Sequence, residues 1–232
     1  MRTGSVLVTG GAKRIGKAIC DVLRSRGWNV LVHSREADNP LCADFSDVEA
    51  PARLFHKACE MSPDLCAIVN NASEFSTASA LDAARSERLL QVNFNAPTSL
   101  ATLLAMRLRQ QKKTGSVVNL LDARILSDAC DMTPYASSKF MLMTRTREQA
   151  KTLAPIVRVN AVAPGPVLLP AAAENHEPGG SILLERRPSP KDVAEAVAFF
   201  LEAESVTGQI LAVDAGQSLL SNNTKDKEVG NG

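Results

Sequence analysis

The chain has 232 residues, of which 45% are hydrophobic and 22% charged, ordinary globular usage that excludes wholesale disorder. Its 26 Lys and Arg nearly balance 25 Asp and Glu, for a formal charge of +1, and aromatics reach only 4%; with neither a cationic excess nor a stacking platform, no nucleic-acid partner is expected. No window approaches the roughly 18 uncharged apolar residues of a membrane span, so no membrane association is expected either.

Five cysteines, odd in number and without zinc or CxxC spacing, suggest reduced thiols and a cytoplasmic setting. Residues Ser5–Thr9 form a short apolar run that predicts a buried strand. The run leads directly into a glycine loop at Gly10–Gly16, which distinguishes it from a signal peptide. A helical pattern follows through Ile19, Val22 and Leu23 and ends at Gly27. Trp28–His33 predicts the second strand and Leu41–Ala43 a short third one. Asp47 is placed to cap a helix running to about Met61. Leu65–Asn70 predicts a strand, and a long helical stretch covers about 84–111, with Pro97 at a bend or junction. Ser116–Leu121 is the next strand. A helix over about 133–153, a strand over Val157–Val162, a helix over about 188–203 and a last strand over Ile210–Val213 complete the pattern. Strands alternating with helices predict an α/β fold with a parallel sheet, and residues 1–220 are expected to form one domain. The Pro- and Gly-rich stretch at about 166–187 follows a strand end, where open α/β sheets bind ligands, and suggests a substrate lid. The polar residues 221–232 suggest a C-terminal tail.

The loop Thr9-Gly10-Gly11-Ala12-Lys13-Arg14-Ile15-Gly16 lies between a strand and a helix. Gly10 permits a tight turn, Gly16 permits close helix–strand packing, and the helix start offers free N–H groups to a pyrophosphate. The pattern is TGxxxGxG with Arg14 at the middle glycine. The second strand ends at His33-Ser34-Arg35 and brings no acid to the ribose-binding position, although Glu36 follows. His33, Arg35 and Arg14 instead suit a 2′-phosphate, and hence NADP rather than NAD. Asp44 either receives the adenine amino group or caps the following helix.

Tyr135 and Lys139 stand four apart on one helix face. A phenol beside an ammonium can donate a proton as hydride arrives, because the cation stabilises the phenolate left behind. Tyr135 is the only tyrosine. Asp122 follows the strand at 116–121, at the sheet end that carries chemistry in such folds. Asn70-Asn71-Ala72-Ser73 follows another strand and offers backbone and amide groups beside a cofactor. His33, His56 and His176 show no metal-ligand spacing, and this chemistry requires no metal.

The order and spacing of TGGAKRIG, NNAS, Asn93, Tyr135-xxx-Lys139, Pro164-Gly165 and Val213-Asp214-Ala215-Gly216 resemble the short-chain dehydrogenase/reductase family along nearly the whole chain. The resemblance implies a doubly wound, seven-stranded parallel sheet of the Rossmann type and hydride transfer with a nicotinamide cofactor. It implies cofactor contacts from Gly10, Arg14, Ile15, Gly16, His33, Ser34, Arg35, Asp44, Asn71, Ala72, Ser73, Tyr135, Lys139, Pro164 and Gly165. Lys139 would bond the nicotinamide ribose and assist Tyr135, and Asn93 would position a proton-relay water. Three positions depart from the common family pattern: Asp122 replaces a serine, Arg14 a glycine, and Ser73 the glycine of NNAG. Together with Phe75, they resemble the pteridine reductases and dihydromonapterin reductases. That resemblance assigns Arg14, Ser73, Phe75, Asp122 and Tyr135 to a pterin substrate, with Phe75 stacking over its ring. Leu168 and Leu169 would line a side-chain pocket, and a homotetramer is implied. The expected activity is NADPH-dependent reduction of a dihydropterin. The alternatives are reduction of another carbonyl substrate, such as a 3-oxoacyl thioester, and a non-enzymatic regulatory role.

Overall fold

Seven short apolar runs lie side by side in the computed structural model, which describes residues 4–75, 82–127, 130–167 and 182–220. They are β1 (Ser5–Val8), β2 (Asn29–Ser34), β3 (Leu41–Cys42), β4 (Leu65–Asn70), β5 (Gly115–Leu120), β6 (Val157–Pro164) and β7 (Ile210–Val213). Every neighbouring pair is parallel, in the order β3-β2-β1-β4-β5-β6-β7. This is the doubly wound α/β sheet that the sequence implied.

Six helices cover its faces: α1 (Arg14–Ser25), α2 (Ala50–Met61), α3 (Ala83–Leu90), α4 (Ala96–Gln111), α5 (Pro134–Thr152) and α6 (Pro190–Glu202). Both faces of the sheet are buried, so the strands read as continuous apolar runs rather than alternating ones. The two-residue period nevertheless divides them. Leu7, Ile68 and Val117 join the core under α2 and α4. Val6, Val8, Val69 and Val118 join the core under α1 and α6. Strand order reverses between β1 and β4, which opens a crevice at their carboxyl ends.

The ends of the elements follow local chemistry. Thr133 caps α5 by accepting from Ala136 N–H, and Ser189 and Asp192 form a reciprocal capping box on α6. Asp47 does not cap α2, as the sequence suggested. That helix starts at Ala50 with Glu49 at its N-cap, and the Asp47 carboxylate instead accepts Glu49 N–H in the preceding turn. The long helix expected over 84–111 is divided: between α3 and α4 lies a π-helical turn over Gln91–Asn95. Pro97, which has no N–H to give a helix bond, stands in the first turn of α4 directly after it.

The expected lid falls largely outside the described residues, as do Leu168, Leu169, His176 and the tail 221–232. Its returning end is anchored: Leu183 and Leu184 N–H both donate to Ala215 O. No helix among the described residues is long and apolar enough to cross a membrane.

Candidate active site

The carboxyl ends of β1 and β4 are tied together first. Thr9 Oγ1 accepts from Asn71 N and Ala72 N, both at 3.0 Å, and Asn71 Nδ2 donates to Thr9 O and Gly10 O. Gly10 has φ +62°, in the left-handed region that glycine adopts without strain. A Cβ on Gly16 would lie 2.1 Å from Gly10 O, so only glycine lets α1 start this close to the loop. The first turn of α1 holds no acid, and its N-cap, Lys13, makes no side-chain capping bond. These helix N–H groups and the glycine cradle fit the pyrophosphate of a dinucleotide. Ile15 is half-buried behind them.

His33 is not placed as an open phosphate donor. Gly10 N–H donates to its Nδ1 at 3.1 Å, so Nε2 carries the proton and faces Ala43 O, also at 3.1 Å. The ring is 2% exposed and stacks on Phe45 with centroids 4.6 Å apart. Burial holds its pKa below the ordinary histidine value. A neutral His33 therefore shapes the glycine loop from beneath. Ser34 is buried and accepts Glu36 N–H, while Glu36 is neutralised by Lys13 at 2.5 Å. Arg14 and Arg35 are also exposed cations at this corner, and unlike Lys13 neither is ion-paired among the described residues. Asp44 closes its own turn by accepting Ser46 N–H and does not cap α2; its other oxygen lies 3.5 Å from Arg88.

The catalytic candidates converge beyond β5. Asp122 begins a 3-10 turn over Ala123–Leu126. The Tyr135 hydroxyl donates to Asp122 Oδ2 at 3.2 Å. Arg124 grips the same carboxylate through Nε to Oδ1 at 3.0 Å and Nη2 to Oδ2 at 2.8 Å. Burial pushes Asp122 up, but the Arg124 hydrogen bonds and charge outweigh it and hold the carboxyl below the usual range. Burial, joined by the Asp122 charge, pushes the Tyr135 phenol well up. Lys139 is 2% exposed and donates to Leu120 O at 2.9 Å; burial pushes its pKa down to about 8.

Asn93 sits in the π turn. Its Oδ1 accepts from Ser73 Oγ at 3.1 Å and Glu74 N at 2.9 Å, and its Nδ2 donates to Glu74 O and to buried Ser138 Oγ. Its side chain is therefore occupied in fastening the 73–74 segment to α5. Phe75 is 58% exposed and stands edge-on to Tyr135, with centroids 4.9 Å apart. Arg124 lies 5.5 Å from both ring centroids. Pro164 ends β6, and Gly165 packs so closely on Asp214 that a Cβ would lie 2.7 Å from Asp214 Cα.

Thus Asp122, Tyr135, Lys139, Phe75, Ser73 and Asn93 gather at one end of the sheet, beside the glycine loop. Sequence reasoning missed Arg124, Ser138 and Thr9. Arg124 had one available signal: an arginine two residues after an aspartate can fold back onto it.

A short chain dehydrogenase family model matches residues 4–178. Among solved structures, the chain resembles the FolM alternative dihydrofolate reductase 1 of Brucella canis, which was solved complexed with NADP. The two share 34% identity and a TM-score of 0.84, with 97% of this chain and 98% of that one covered. Among curated proteins, it is 32% identical to the granaticin polyketide synthase putative ketoacyl reductase 2 of Streptomyces violaceoruber, covering 92% of this chain and 96% of that protein. It is 31% identical to the dihydromonapterin reductase of Citrobacter koseri, with the same coverage.

Proposed function

Because the chain belongs to the short-chain dehydrogenase family, we propose that it is an NADPH-dependent reductase whose substrate is a dihydropterin such as dihydromonapterin, dihydrobiopterin or dihydrofolate. The observation that carries the substrate class is Asp122 itself: a carboxylate, hydrogen-bonded to the Tyr135 hydroxyl, where carbonyl-reducing relatives have serine. NADPH, when bound, supplies the hydride for a C=N carbon of the pterin. Gly10, Gly16 and the start of α1 would receive its pyrophosphate, and Arg14 and Arg35 would offer charge to its 2′-phosphate. Tyr135 holds the proton that N5 of the pterin takes up. Asp122, kept ionised, accepts from that hydroxyl and fixes its direction. Lys139, close beneath the phenol ring at 5.9 Å, stabilises the phenolate that forms. Phe75 presents an exposed face to a flat heterocycle.

The likeness to the dihydromonapterin reductase and to the FolM protein supports this reading. The likeness to a ketoacyl reductase favours a second one, reduction of a 3-oxoacyl thioester. Phe75 and Asp122 weigh against it, because a thioester needs neither a stacking face nor a carboxylate. The proposal includes a cytoplasmic homotetramer. Exposed Phe140 and Met141 on α5 and Phe199 on α6 provide apolar faces for assembly.

Steady-state kinetics of Phe75→Ala and Asp122→Ser test the assignment. Loss of stacking, about 0.5–1.5 kcal/mol beyond area burial, should raise the dihydropterin KM about two- to tenfold and leave the NADPH KM nearly unchanged. Asp122→Ser should lower pterin turnover. A destabilised Phe75→Ala with an unchanged ratio of the two KM values would make Phe75 a packing residue and remove the pterin assignment.

A further inference from the structure

The built-in partner of Asp122 is Arg124, two residues along the same turn. Three Arg124 donors reach this one carboxylate: its backbone N–H and Nε on Oδ1, and Nη2 on Oδ2. The Tyr135 hydroxyl shares Oδ2. The fork is steadied from the side by Phe75 and Tyr135, each 5.5 Å from the guanidinium carbon. The Asp122 side chain is 16% exposed and that of Arg124 56%, so the arginine lies between the carboxylate and solvent. We propose that Arg124 is a positioning residue for the reaction: its fork holds Asp122 as an ionised two-oxygen acceptor, which sets the orientation of the Tyr135 hydroxyl. The substrate named in this inference rests on the pterin reading; the arrangement of the three side chains does not.

The physical reason is the direction of a hydrogen bond. A carboxylate only accepts, so Tyr135 can only donate. A carboxylic acid also donates, and the Tyr135 oxygen could then accept from it, so the hydroxyl would no longer be held in one orientation beside the reacting atom. Burial favours the acid form. Among the described residues, the titratable and charged groups that face Asp122 are Arg124 on the 3-10 turn, Cys130 in the following loop, and Tyr135 and Lys139 on α5. Lys139 is committed to Leu120 O, and neither Cys130 nor Tyr135 is a cation. Arg124 is therefore the group that can decide the ionisation. Its short tether means that little chain entropy opposes the pair.

The test is the pH dependence of kcat/KM for dihydropterin at saturating NADPH, in the full chain carrying R124Q or R124K, with D122N to assign the limb. Wild type should stay flat to about pH 5. R124Q should bring the acidic limb up by about one pH unit or more and lose about tenfold in kcat/KM at neutral pH. NADPH affinity, read by fluorescence titration, should change less than about twofold. R124K keeps the charge and loses the fork, so its limb should stay near wild type while kcat falls severalfold. D122N should lack the limb. A limb at the wild-type pH in R124Q, or a kcat for R124K equal to wild type, would overturn the proposal and leave a purely structural ion pair. If wild type reduces a thioester but no pterin, the pterin reading fails. The same limbs are then compared on the thioester, and Arg124 stands or falls separately.

Discussion

Lys139 carries an ammonium into a site that leaves it 2% exposed, with Leu120 O as its hydrogen-bond partner. Burial lowers its pKa to about 8 from the ordinary 10.5, which makes the charge a cost to the cofactor-free fold of about 3 kcal/mol. Below about pH 8 both folded and unfolded chains are protonated, and the cost is fully present. Between about pH 8 and 10.5 the folded chain has released the proton and the unfolded chain has not, so this contribution to stability rises with pH. Lys139→Met should therefore be more stable than wild type at pH 7 while losing turnover. The gap should close as pH rises from about 8 to 10.5. Denaturant unfolding of both proteins checks this, and a gap that is absent or independent of pH would contradict it. Tyr135, Lys139 and Asp122 were legible in the sequence because helical spacing and a strand end fix their location. His33 was placed beside the glycine loop, but sequence proximity does not show which way a ring faces, and this one faces inward. Ser138 was not legible, and Arg124 only as an arginine two places after Asp122, because their roles depend on side-chain direction.

Among the elements, the glycine loop and α1 show how a local departure from pattern alters chemistry rather than fold. Arg14 has φ +53°, the left-handed conformation that a glycine would adopt without strain. Holding an L-residue there costs about 1–2 kcal/mol. Arg14→Gly removes that strain but adds glycine's backbone entropy cost of about 0.5–1 kcal/mol. The two partly cancel, so stability should rise by about 0–1.5 kcal/mol. The lost cation should lower the preference for NADPH over NADH by about tenfold, the worth of one charge-assisted phosphate bond. Comparing kcat/KM for both cofactors with a thermal melt separates the two effects; an unchanged cofactor preference would mean that Arg14 faces solvent throughout the cycle. The π turn at 91–95 was hidden for a different reason. Leu89, Val92, Ala96 and Leu100 keep an i, i+3/i+4 spacing across this stretch, so the pattern marks one continuous helix and does not show the phase shift of the π turn. That shift lets Asn93 reach the 73–74 segment and Ser138 together.

At the level of the whole molecule, the seven strands were legible because a sheet buried on both faces demands uninterrupted apolar runs. Their order follows from right-handed crossovers and the reversal after β3. The site stands where that reversal opens the sheet, so fold and site were read together. Substrate choice is less legible, since it depends on what the sheet end presents, which among the described residues includes Phe75 and the Asp122–Arg124 pair. On the proposed function, this end of the sheet is built for a flat, nitrogen-rich ring. Initial rates of NADPH oxidation, measured side by side with dihydromonapterin, dihydrobiopterin, dihydrofolate and an acetoacetyl thioester, test it most directly. The account predicts that kcat/KM for at least one dihydropterin exceeds that for the thioester by about a hundredfold or more, the discrimination expected of a site with polar groups matched to one substrate. Turnover of the thioester with no detectable reduction of any dihydropterin would contradict it.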